Sequence, residues 1–360
     1  MEKGKISAFQ MGLMMYPTIV ATGILFVQSA IVSIAGRDLW ISPIWAAVVG
    51  FLAIIAAILL HKWYPGLTII EYSERILGTF IGKIISFFTM FLYITSTGIM
   101  TWQYGEYVVS DFLNRTPLVV IIGSMLMACA FAIFGGIEVL GRLSNIIVPI
   151  FILLLFLIVL LLIPEMEFKR MLPLWEEGVQ PSIDGAWRLQ TWFAEYGLIC
   201  FLLPYIADQK KVWRWGMLSL SAVTVTMVFT SLAVLLVFGD VTESINAPLM
   251  TAARYISIAE FISHLESIVM AVWILGTFLK IGVFYYVCVL GTAQWLNLKD
   301  FRPIILPMGL IIGIFAVTSF SNSTEASEHF EEAFIDTTVY GLVIPVILLL
   351  LAWIRKILKR

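Results

Sequence analysis

Residues 14–26 read MMYPTIVATGILF. They lie inside an apolar run, residues 8–34, that is long enough to cross a bilayer, for which about 20 such residues suffice. Pro17 and Gly23 nevertheless stand near its middle. Proline brings no N–H and crowds the carbonyl of Leu13, and glycine permits backbone angles that other residues avoid. Either residue weakens an unbroken helix, so the stretch poses a choice between a simple kink and a break that leaves peptide groups bare at mid-depth.

The rest of the chain shares this apolar character. Of its 360 residues 61% are hydrophobic and 13% charged, with mean hydropathy +0.98, well above a soluble domain. An integral membrane protein is expected. The formal net charge is −2 and no basic patch with interleaved aromatics lies outside the apolar runs, so nucleic acid is not an expected partner. Cys129, Cys200 and Cys288 stand singly in apolar stretches, and His61, His264 and His329 show no ligand spacing. Neither a metal nor a cofactor is expected. No phosphate-cradling loop, HExxH or Ser/His/Asp set is present, so enzymatic activity is not expected either. Residues 1–7 lead straight into an apolar stretch too long for a cleaved signal, and the first span serves as its own insertion signal.

Ten apolar spans are expected, at residues 8–34, 40–60, 83–112, 117–136, 144–163, 187–207, 213–238, 262–292, 303–320 and 338–358. With the N-terminus inside, 15 of the 22 lysines and arginines fall on inner segments, which places both termini in the cytoplasm. Glu325, Glu328, Glu331, Glu332 and Asp336 collect in one outer loop, read as a solvated face. The spans divide into 8–163 and 187–358, five in each half of a single transmembrane domain. Five being odd, the second half runs inverted relative to the first. The first and sixth spans then correspond, and both are interrupted: Pro17 and Gly23 in one, Gly197 and Pro204 (WFAEYGLICFLLP, 192–204) in the other. Gly and Pro in membrane helices often make only a kink or a close contact, but a matched pair points to a midplane site.

A break near Val20 to Gly23 would free the N–H groups of Thr22, Gly23 and Ile24, next to Ala21, at a positive helix end that suits a carboxylate. The carbonyls of Trp192, Phe193 and Ala194 in the sixth span would suit an ammonium group, with Trp192, Phe193 and Tyr196 closing an apolar cavity beside Gly197. Together these describe an α-amino acid. Lys280, in VWILGTFLKIGVFYY (272–286), is too deep to reach an interface, and a charge there costs about 2.5–3.5 kcal/mol. It is expected to satisfy carbonyls freed around Leu13 and Val20, standing in for a bound cation; the alternative is an ion pair with Glu195 or Glu106. Glu195, beside the sixth-span break, is a candidate for a ligand amine or a proton. Tyr93, Thr97 and Thr101 recur at helical spacing in the third span, and they either line the pocket or bond their own backbone.

Further stretches carry a family likeness: ISAFQ (6–10), ATGIL (21–25), YPGLTIIEYSERILGTFIGK (64–83), NRTPL (114–118), GGIEVLGRLSNIIVPI (135–150), MLPLWEEGV (171–179) and HLESIVMAVWILGTFLKIGVFYY (264–286). In this order the chain resembles the B subunits of endospore germinant receptors, a branch of the amino acid–polyamine–organocation superfamily. The resemblance implies an all-α fold of the LeuT type with a 5+5 inverted repeat. It also implies that the chain senses a small nutrient, often an amino acid, in the lipid of the spore inner membrane, with A and C subunits as partners. The chain departs from that pattern at Ala21, where relatives show glycine, at Gln28 in place of proline, and at Glu195, farther than usual from the following proline; Lys280 matches. A secondary amino acid transporter, proton-coupled or uncoupled, and a release conduit are the rival functions.

Overall fold

A computed structural model describes residues 2–255, 265–320 and 335–358. The acidic run Glu325–Glu332, both His264 and His329, the start of the eighth span and the last two residues lie outside them. Among the described residues the fold is all-helical, with a single bridge in which Ile6 pairs with Ile206.

The first span is α1 (Ala8–Ala35). Ser7 and Gln10 cap it reciprocally: Ser7 Oγ accepts from Gln10 N–H at 3.1 Å and Gln10 Oε1 from Ser7 N–H at 2.9 Å. Gly36, with φ +52°, ends it. Next come α2 (Ser42–Trp63) and the short α3 (Ile69–Leu77), which opens on a second capping box between Thr68 and Glu71. Gly78, at φ +87°, then turns the chain into α4 (Thr79–Asp111). α5 (Leu118–Phe134) and α6 (Ile137–Leu162) complete the first half of the chain. The sixth span is α7 (Gln180–Ala194), a 3-10 segment Glu195–Leu198, α8 (Ile199–Leu202) and a further 3-10 turn Leu203–Tyr205. Then follow α9 (Val212–Phe238), α10 (Pro248–Tyr255), α11 (Leu265–Trp295), α12 (Ile305–Thr318) and α13 (Ile335–Leu358), the last π-wound over Val339–Val343.

Seven of these stretches are long and apolar enough to cross a bilayer by themselves: Ala8–Leu25, Ser42–Trp63, Thr79–Asp111, Ile137–Glu165, Gln209–Ser244, Val269–Trp295 and Ile335–Leu358. The other three expected crossings coincide with the shorter apolar helices Leu118–Phe134 and Arg302–Thr318 and with the interrupted α7–α8 segment. Large apolar side chains such as Phe80, Phe131, Leu153 and Leu310 stay exposed around the outside, as a lipid-facing surface requires.

α1 runs through the middle of the bundle, packed on α6, α7, α9 and α11, while α4 packs on α11 and α12. The start of the chain is tied down by hydrogen bonds: Ala8 N–H donates to Asp208 Oδ1 at 2.6 Å, and the Glu2 carboxylate accepts from Ile137 N–H at 3.0 Å and Tyr286 O–H at 3.1 Å.

The expected break in the first span is corrected here, because α1 is one continuous α-helix through Pro17 and Gly23. Proline removes only the bond to Leu13, and side-chain hydroxyls serve neighbouring carbonyls: Thr18 Oγ donates to Met15 O at 2.5 Å and Ser219 Oγ to Gly12 O at 2.8 Å. Unwinding farther along would strip Thr22, Gly23 and Ile24 of their partners within apolar packing, where an unmade backbone bond is costly. The sixth span is overwound instead of broken. Glu195 N–H bonds the carbonyls of both Phe193 and Trp192, so these carbonyls are not bare. The tight turn fits against the wide π turn of α13: a Cβ added at Gly197 would overlap the Gly341 carbonyl oxygen, and one added at Gly341 would overlap the Ala194 carbonyl oxygen. Both glycines are there for this backbone-to-backbone approach.

Candidate functional site

Lys280 stands at the midpoint of α11, fifteen residues from Leu265 and fifteen from Trp295. Its ammonium group donates to Glu195 Oε1 at 2.8 Å, to Glu195 Oε2 at 3.0 Å and to Thr22 Oγ at 2.8 Å. These three bonds use all three of its donors. The Thr22 oxygen also accepts from Trp192 Nε1–H at 2.9 Å. The ion pair is sealed from solvent, with side chains 1% and 2% exposed, and the Phe284 ring stands 5.7 Å from the ammonium nitrogen. Three helical segments meet at this network: the centre of α1, the α7 to 3-10 junction and the centre of α11.

Two charges that deep are stable only because each compensates the other and further hydrogen bonds complete them. The expectation that Lys280 bonds carbonyls near Leu13 and Val20 is therefore corrected: the continuous α1 keeps those carbonyls in its own ladder, and the ammonium takes a carboxylate and a hydroxyl. Glu106 is half-buried toward the far end of α4 and is not among the groups that hold Lys280.

Beside the network lies a cavity of about 40 Å³, lined by Thr22, Trp192, Glu195 and Lys280 with Ser96, Ile99, Met100 and Gln103 of α4, Thr191 of α7 and Thr337 of α13. That is room for about three waters, fewer heavy atoms than an α-amino acid has. Ser96, Ile99, Met100 and Gln103 form one i, i+3, i+4, i+7 stripe of α4. Thr97 and Thr101 instead turn into their own helix, donating to Tyr93 O at 2.6 Å and Thr97 O at 2.7 Å, while the Tyr93 ring packs 4.1 Å from that of Tyr340. Sequence spacing picked the right helix and a neighbouring stripe.

The other expected site residues are distributed around the network. Phe193 and Tyr196 are buried against Gly50 of α2, and Tyr196 O–H pairs with Ser219 Oγ at 3.0 Å, so of the three sixth-span aromatics only Trp192 faces the cavity. Ala21 lends its carbonyl to Trp273 Nε1–H at 2.7 Å. Gly23 leaves room for Met227, whose Cε would lie 3.0 Å from an added Cβ, and for Trp192 at 3.6 Å. Ile24 lines a separate apolar cavity of about 30 Å³ with Leu25, Phe151, Met250 and Trp273. Ser96, Gln103, Thr191 and Thr337 were not singled out from sequence. The mixed polar stripe on α4 hints at Ser96 and Gln103, and no sequence signal marks Thr191 or Thr337.

Comparison with known proteins identifies the family and the fold type. Residues 5–325 match the family described as spore germination protein. Spore germination protein KB of Bacillus subtilis (strain 168) is 25% identical over 99% of this chain and 97% of its own length. Spore germination protein XB of Bacillus anthracis is 24% identical over 99% of each. Among solved structures, MhsT in complex with L-phenylalanine aligns over 96% of this chain and 89% of its own, with TM-score 0.72 at 10% identity. Mhp1, a nucleobase-cation-symport-1 family transporter in a closed conformation with bromovinylhydantoin, covers 95% of this chain and 79% of its own, with TM-score 0.69 at 13% identity. At those identities the likeness is one of fold, and the fold is that of the LeuT type. The chain belongs to the spore germination protein family.

Proposed function

We propose that this chain is the nutrient-sensing transmembrane subunit of a spore germination receptor and that its ligand, an α-amino acid, binds at the Thr22–Glu195–Lys280 network. One observation carries the reading: a fully buried carboxylate and ammonium, contributed by different helical segments, meet beside a small cavity that polar and apolar side chains line together. An α-amino acid carries the same two charges. Its ammonium group can take over Glu195 and its carboxylate Lys280 and Thr22, so both protein charges stay compensated while the direct bond between α11 and the 3-10 segment opens. The cavity must widen for this, which converts binding into relative movement of α1, α7 and α11. With α1 continuous and the carbonyls of Trp192 and Phe193 already bonded, ligand recognition in this reading rests on side chains and not on bare backbone groups.

In this reading the chain lies in the spore inner membrane with both termini in the cytoplasm, A and C subunits register the movement, and no bond of the ligand is broken. Its two halves, 8–163 and 187–358, correspond as inverted repeats. The likeness to transporter structures supports a second reading, secondary amino acid transport. Liposomes containing only this chain separate the two. The sensor reading expects saturable binding of a labelled amino acid with no accumulation inside; concentrative uptake would favour transport, and absence of both would overturn the site.

A further inference from the structure

Resting on the reading just given, the lining of the cavity narrows the ligand further. Beyond the ion pair the wall is made by Ser96, Gln103, Thr191 and Thr337 together with Ile99 and Met100. Three hydroxyl-bearing residues and a carboxamide thus stand among the lining residues, and none of them is charged. Thr337 Oγ already accepts from Tyr340 O–H at 3.2 Å. The Gln103 carboxamide, by contrast, has no hydrogen-bond partner among the described residues. It offers one acceptor and two donors to the cavity, at the end of the α4 stripe that begins with Ser96, about 10 Å along the helix.

We infer that the site takes α-amino acids with an uncharged hydrogen-bonding side chain, a carboxamide or a hydroxyl, and that Gln103 is the residue that selects them. An apolar side chain against Gln103 would cover its carboxamide without offering it a hydrogen bond, and sites of that kind reject the apolar analogue strongly. A second charge on the ligand would stand uncompensated, because Glu195 and Lys280 are occupied by its α-amino and α-carboxylate groups.

The test uses the full chain in lipid nanodiscs and equilibrium binding of two near-isosteric pairs, threonine against valine and asparagine against leucine, with alanine as reference. At least one polar member binds ten-fold or more tightly than its apolar twin. In Q103M, close in shape to the native side chain, that ratio falls below three-fold. Apolar twins that bind equally well or better, or a ratio unchanged in Q103M, overturn the inference while leaving the amino acid reading intact. If Q103M does not accumulate, the wild-type ratios decide alone. If no amino acid binds, alanine included, the preceding reading falls and this one with it.

Discussion

Replacing Lys280 by Met removes the ammonium group that compensates Glu195, and its consequence can be worked out from the geometry. The carboxylate would lose an ammonium at 2.8 Å and 3.0 Å, and Thr22 would lose a donor at 2.8 Å, all within packing that excludes solvent. Breaking a buried pair from one side costs about 3–5 kcal/mol, whereas replacing both members by neutral groups is near neutral. With an unfolding entropy of about 2.1 cal/mol/K per residue, that cost lowers the melting temperature of a 360-residue chain by roughly 4–7 °C. K280M and E195Q should each show a loss of that order, and the double variant K280M/E195Q should return to within about 2 °C of the parent. Differential scanning fluorimetry of the purified chain measures all four corners of the cycle. Single variants that melt within 1 °C of the parent, or a double variant that falls by the sum of the two, would refute the argument.

Other substitutions probe the surrounding contacts. Thr22→Val takes the acceptor from both Trp192 and Lys280 and should cost about 1–3 kcal/mol in thermal or denaturant unfolding, with Thr22→Ser retaining most of the parent stability. Gly197→Ala and Gly341→Ala place a methyl group on an opposing carbonyl and should lower the yield of monodisperse protein in size-exclusion chromatography, whereas Gly123→Ala, facing open space, should not. Gly23→Ala presses on the flexible end of Met227 and makes an ordinary contact with Trp192, so it should accumulate and respond; Gly23→Leu should accumulate without ligand response, read as loss of the ligand-induced rise in melting temperature.

The sequence disclosed the fold type and the two buried charges, although the Lys280–Glu195 pair stood there only as the alternative to Lys280 on freed carbonyls. Lys280 and Glu195 stand out because a charge inside an apolar span is expensive wherever it faces, so their mutual partnership was one of few ways to settle them. Span positions were likewise legible from apolar runs of bilayer length. Helix azimuth was not: Tyr93, Thr97 and Thr101 share a spacing with pocket-lining residues, and only packing of α4 against α11 and α12 decides that Ser96 and Gln103 face the cavity. Pro17 and Gly23 suggested a break that packing on every side of α1 suppresses, because the glycine serves a close neighbour and hydroxyls attend to the carbonyls near the proline. Gly197 carried a similar ambiguity, and its partner, Gly341 in a π turn, has no local sequence signature.

The central claim is that ligand binding exchanges the internal ion pair for two pairs to the ligand. An experimental structure of the chain with a bound amino acid tests this directly. The account predicts the ligand ammonium on Glu195, its carboxylate on Lys280, and a Lys280–Glu195 separation opened beyond the present 2.8 Å. A ligand bound elsewhere, with that pair intact, would contradict it.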